Sequence, residues 1–66
     1  MDEEVRTEGR FTFAYVDTPS DCWLWSIVTD YKDAQDYEEV ICSFDEMPNP
    51  KVVGLFLKAL HFDQQN

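Results

Sequence analysis

The side chains able to do chemistry in this chain are one histidine, two cysteines and fourteen carboxylates. His61 falls near the end of an apolar-periodic C-terminal segment, where the helix dipole would favour a positive imidazolium. Spacing places no serine or cysteine beside it, so a nucleophile–base pair is unsupported and a surface or capping histidine is expected. Cys22 and Cys42 sit in two stretches of strand character. If those stretches pair with Thr29 opposite Tyr37, then Leu24 faces Cys42 and Cys22 faces Phe44. The thiols then become diagonal neighbours about 7 Å apart at Cα, which is marginal for a disulfide. Buried free thiols are the expectation. Two thiols and a distant imidazole also fall short of the four ligands of structural zinc.

The carboxylates are dense enough to suggest a cation site or a general acid. Asp30, Asp33, Asp36, Glu38 and Glu39 crowd one segment, and Asp45 and Glu46 another. The spacing is not that of an EF-hand loop, which needs alternate ligands and a glycine. Acid–base catalysis needs a carboxylate buried enough to raise its pKa, and the pattern buries none. Two glycines cannot build a phosphate-cradling loop. The expectation is a non-enzyme with no metal and no cofactor.

As charges rather than reagents, the same residues are more informative. Fourteen acidic against five basic side chains leave a formal charge of −9. They cluster in a lead-in (Asp2, Glu3, Glu4, Glu8), in the middle segment and in the loop at Asp45–Glu46. Such a surface repels nucleic acid and anionic lipid but attracts basic proteins, including those that hold DNA or RNA. Carboxylates on a rigid fold can imitate a row of phosphates. In size and charge alone, the chain is similar to small phage-type inhibitors such as anti-CRISPR and other DNA-mimic proteins. The expected function is therefore an inhibitor that occupies a basic, nucleic-acid-binding surface of a partner. Asp30, Asp33, Asp36, Glu38, Glu39, Asp45 and Glu46 would make the contacts, with Tyr31, Tyr37 and Trp23 as aromatic anchors.

The elements that must position these groups follow from periodicity. Residues 1–9 are charged and read as a flexible or edge-lying lead-in. From Arg10 to Val16 the chain alternates, with Phe11, Phe13 and Tyr15 on one side and Thr12, Ala14 and Val16 on the other: a strand. Asp17-Thr18-Pro19-Ser20-Asp21 is a turn. Cys22 to Thr29 is apolar on both faces, as in the central strand of a covered sheet. Asp30 to Asp36 is a polar connection holding a short helical turn, with a helix capped by Asp30 as the rival reading. Tyr37 to Phe44 is a third strand, favoured by Val-Ile-Cys-Ser-Phe.

Asn49 and Pro50 start a helix as N-cap and first helical residue. It is expected to run to about Phe62, leaving 63–66 frayed. The reading is thus a single α+β domain over 10–62: a three-stranded antiparallel meander followed by one C-terminal helix packed on one face. Apolar residues sweep about 220° of that helix, where one core-facing stripe needs little more than about 100°. The surplus at Val52, Leu55, Ala59 and Phe62 supports an alternative function, a small homodimeric adaptor that recognises its partner through hydrophobic surface. If Leu24 and Val28 face the helix, Trp23 and Trp25 lie on the open side of the sheet. The acidic N-terminus does not read as a secretory signal, and no apolar run is long enough for a bilayer. A cytoplasmic location, or a host cytoplasm during infection, is expected.

Overall fold

The computed structural model describes residues 5–65. Four strands, β1 (Arg6–Glu8), β2 (Phe11–Asp17), β3 (Trp23–Thr29) and β4 (Val40–Phe44), precede one helix, α1 (Pro50–Gln65). They form one antiparallel sheet in the order β1-β2-β3-β4.

The fourth strand corrects the expected count of three. Arg6-Thr7-Glu8 is too short and too polar to announce itself by alternation, and polar residues are what an edge strand tolerates. It pairs with β2 through a two-residue turn whose first member, Gly9, has φ of 63°. That positive φ in a two-residue connection matches the twist of the flanking strands. Oγ1 of Thr7 lies 3.1 Å from Oγ1 of Thr12 across the pair. The acidic residues Asp2, Glu3 and Glu4 fall outside the described residues.

β3 sits at the centre, and both of its faces are covered. On one face Phe11, Phe13 and Ile27 pack with Val53 and Leu57 of α1, joined at the margin by Trp25, Cys42, Phe44 and Leu60. The other face carries Ala14, Val16 and Val28, closed over by Tyr31, Tyr37 and Val40. The helix therefore lies on the side of Trp25 and Ile27, not on the side of Leu24 and Val28. The connection between β3 and β4 supplies the cover for the second face.

That connection also corrects the third strand, which begins at Val40 rather than Tyr37. Residues 30–39 form a loop with a tight turn at Asp33–Asp36 and no helix. The β3–β4 register departs from the expected one as well. Cys42 stands opposite Ile27, three residues along from Leu24, and Phe44 opposite Trp25. Past Ile27 the pairing slips so that Val28 meets Val40, leaving Ile41 as the extra residue of a bulge. An odd displacement moves a side chain to the opposite face. Cys42 accordingly points to the helix side, while Cys22 is exposed before β3; both are free thiols.

At the start of α1, Oδ1 of Asn49 accepts from the amide of Lys51 at 2.8 Å, capping a donor the helix cannot satisfy itself. The helix runs to Gln65, beyond Phe62. Asp63, Gln64 and Gln65 include no glycine or proline to stop it, and glutamine is a good helix former. Among the described residues no helix is long and apolar enough to cross a membrane.

Candidate functional site

The loop 30–39 carries most of the expected acidic contacts, and backbone bonding fastens it at both ends and at its tip. Its entry is held by the Asp30 amide donating to Arg10 O at 3.0 Å, with Asp30 in a left-handed conformation that aspartate tolerates. Its exit is held by the Glu38 amide on Thr29 O at 2.8 Å and by the Thr29 amide on Glu39 O at 3.0 Å. At the tip, the Asp17 amide donates to Ala34 O at 2.9 Å and Nε2 of Gln35 to Oδ2 of Asp17 at 3.2 Å. The hydroxyl of Tyr37 donates to Asp17 O at 2.6 Å. Tyr31 and Tyr37 are half-buried beneath the loop, packed on the second face of the sheet. They brace the loop from below.

The carboxylates fall into two groups. Near the Gly9 turn, one guanidinium serves two of them: Arg10 lies 3.3 Å from Asp30 and 3.0 Å from Glu38. A hydrogen bond with Glu38 lowers the Asp30 pKa, and Arg10 reinforces the shift. The same bond with Asp30 raises Glu38, aided by repulsion between the two charges. A proton shared by the pair thus settles on Glu38. One cation against two carboxylates leaves this end of the loop with only a partly offset negative charge.

The second group lies at the other end of the sheet. Asp17 pairs with Trp23, and the next pairs inward bring Tyr15, Trp25 and Phe44 into one row. Asp45 and Glu46 follow Phe44 directly, so they emerge at this end, as do Asp21 in the preceding turn and the loop tip at Asp33–Asp36. Here too Tyr15 and Trp23 stand 47% and 45% exposed, with ring centroids 5.7 Å apart. They belong to the helix-side face, and their exposure leaves them outside the buried cluster built on Val53 and Leu57. The result is an exposed aromatic pair at the sheet end from which Asp17, Asp21, Asp45 and Glu46 emerge, with Asp33 and Asp36 on the loop that covers the opposite face of the same end. Glu39 is exposed at the loop exit.

Tyr15, Asp17 and Asp21 escape notice in the sequence. The signal for Tyr15 is its place on the face of Phe11 and Phe13, which a hairpin closed at Thr18–Asp21 sets across from a tryptophan. Trp25 has a different environment from Trp23. It stacks on Phe13 at the edge of the core.

The outer side of α1 presents Val52, Leu55, Ala59 and Phe62, all exposed, with Leu55 69% accessible. Val53, Leu57 and Leu60 take the inward side, so the expected apolar surplus does face outward. Phe56 stands between the two, edge-on to Phe44 with centroids 6.3 Å apart.

Among the described residues no group of three or more His, Cys, Asp or Glu side chains could hold a metal ion. No buried side-chain nitrogen or oxygen there lacks a hydrogen-bond partner. His61 is packed against Gly9, and burial raises the Cys42 thiol pKa. The chain matches no family model, no curated protein and no solved structure.

Proposed function

We propose that this protein is an inhibitor that docks its acidic end on a basic, nucleic-acid-binding surface of a partner protein, in the manner of phage-type DNA mimics. The observation that carries this reading is the exposed aromatic pair Tyr15–Trp23 at a sheet end that also gathers Asp17, Asp21, Asp45 and Glu46, with Asp33 and Asp36 on the braced loop behind it. A rigid apolar centre with a charged rim is the anatomy of a protein interface. The rim adds attraction and orientation toward a cationic partner. Asp33, Asp36, Asp45 and Glu46 act as phosphate surrogates, with Glu39 at the flank. Asp30 and Glu38 set the loop's entry and exit through Arg10. A cytoplasmic site of action, including a host cytoplasm during infection, fits two free thiols.

The test is partner capture at two salt concentrations with a quadruple variant, Asp33→Asn, Asp36→Asn, Asp45→Asn and Glu46→Gln. Screening shortens from about 10 Å at 0.1 M salt to about 3 Å at 1 M. Capture should fall steeply with salt and be lost in the variant, while the circular dichroism stays that of the parent. Equal recovery at both salt levels would overturn the reading.

A second reading, a homodimeric adaptor recognising its partner through hydrophobic surface, is favoured by the exposure of Leu55 beside Val52 and Ala59. A dimer in solution that Leu55→Glu converts to monomer supports it. A monomer before and after removes it.

A further inference from the structure

Three of the five basic residues in this chain of net charge −9 border one groove. Arg6, Lys51 and Lys58 surround a trough of about 610 Å³ between β1 and the flank of α1, floored by Gly54, Leu55 and Leu57. None of the three is ion-paired to a described residue; the ion pairs there belong to Arg10. Among the described residues, Glu8 is the only acidic side chain in the lining. An ideal Cβ on Gly54 would meet no atom within 4 Å, so the helix wall is open at its middle.

The other wall is the free edge of the sheet. Among the described residues, β1 is terminal in the strand order and pairs with β2 alone. Glu8 and Phe11 close a two-residue hairpin, so by antiparallel alternation the next pair, Thr7 and Thr12, exchanges no backbone bonds. The amide and carbonyl of Thr7 therefore point away from β2. The side chain of Thr7 meets Thr12, so its presence in the groove lining fits an exposed backbone. A strand edge beside a helix flank is the arrangement that accepts an extended peptide as an added strand.

We propose that this groove binds an extended acidic segment of a partner protein, added as a fifth strand along β1. The backbone of Thr7 supplies the pairing, the exposed Leu55 takes an apolar side chain of the added strand, and Arg6, Lys51 and Lys58 select carboxylates. An antiparallel pairing of β1 with β1 centred on Thr7 would set Arg6 across from Glu8 of a second copy, so a second copy is the rival occupant that the experiment separates.

The experiment titrates the isotope-labelled full chain with a blocked octapeptide of alternating glutamate and valine. Parallel titrations use a lysine–valine peptide and a glutamate–valine peptide methylated at alternate amides. The glutamate peptide should move the amides of Thr7, Gly54 and Lys58 and protect Thr7 from exchange, with both controls about tenfold weaker or more. The double variant Lys51→Glu, Lys58→Glu should lose about tenfold in affinity. Gly54→Leu, which fills the trough without a clash at Cβ, should lose binding with the circular dichroism unchanged. Equal binding of the glutamate and lysine peptides overturns the proposal. So does saturation that leaves Thr7 unmoved, or concentration-dependent protection of Thr7 in the chain alone, which would mean pairing between copies.

Discussion

The indole of Trp25 lies stacked on the ring of Phe13, centroids 5.2 Å apart and planes 13° from parallel. Phe13 is itself buried and stands edge-on to Phe44, 5.9 Å away, so the stack joins β2, β3 and β4 beneath the helix. Two residues earlier on the same strand face, Trp23 touches Tyr15 at the exposed rim. Trp25→Ala should cost the fold about 3 kcal/mol, the low end for a large aromatic because the ring is only half-buried. Trp23→Ala should leave the thermal transition nearly unchanged and weaken partner binding by about 2 kcal/mol. Denaturant melts of both variants, followed by partner titration of Trp23→Ala, check this. A Trp23→Ala protein that unfolds as readily as Trp25→Ala would show both rings to be structural.

The two glycines should respond in opposite directions to alanine. Gly54→Ala places a methyl group in open space within a helix and should stabilise the protein by about 1 kcal/mol. Gly9→Ala puts a side chain on a backbone at φ of 63° and drives its Cβ into the ring of His61. It should destabilise by about 1 kcal/mol for the left-handed backbone, with the steric conflict adding to that. Urea unfolding midpoints read both directly.

Tyr37→Phe removes only the hydroxyl that donates to Asp17 O. The expected loss is about 1 kcal/mol, the ordinary net worth of one hydrogen bond. Amide exchange at Asp17, whose N–H is bonded to Ala34 O, should quicken as the loop tip loosens. Exchange unchanged from the parent would mean that Tyr37 does not brace the tip.

Asp30 and Glu38 should titrate on opposite sides of their ordinary values, Asp30 below 3.8 and Glu38 above 4.5. A lowered carboxyl contributes stability that is present above its unfolded pKa and lost as pH falls through its folded pKa. For Asp30 that loss falls below pH 3.8. A raised carboxyl works the other way, its contribution being complete below the unfolded value and lost as pH rises through the folded one. For Glu38 the loss falls above pH 4.5. Arg10 lowers both groups, so Arg10→Ala should raise both. Carbon-detected side-chain titration of parent and variant measures this, and an Asp30 value that does not move would remove Arg10 from the account.

The two thiols should differ in reactivity. Cys22 is exposed, whereas Cys42 faces the helix side and burial raises its pKa. A thiol reagent applied to the folded protein at mildly alkaline pH should modify Cys22 quickly and Cys42 slowly, since the thiolate is the attacking form. Equal rates would show Cys42 to be open to solvent.

Much of this architecture is local, and local physics is legible in a sequence. The alternation from Phe11 to Val16, the two-sided apolarity around Trp25 and Ile27, and the Asn49–Pro50 helix start each depend on neighbours within a few residues. So does the apolar surplus on α1, because helical geometry alone assigns Leu55 and Leu57 to different sides. The charge clusters need no fold at all. What the tertiary structure alone decided is non-local. The strand Arg6–Glu8 exists because the edge of β2 was free to pair, and its polar residues carry no pattern of their own. The bulge at Ile41 displaced Cys42 by an odd number of residues and so reversed its face. Both faces of β3 are apolar, so periodicity cannot say which one the helix takes. That choice turns on closing the loop 30–39 over the smaller side chains Ala14, Val16 and Val28, which leaves the bulkier Phe13–Trp25 side for Val53 and Leu57. The same closure divides the acidic loop between Arg10 at one end of the sheet and Asp17 at the other.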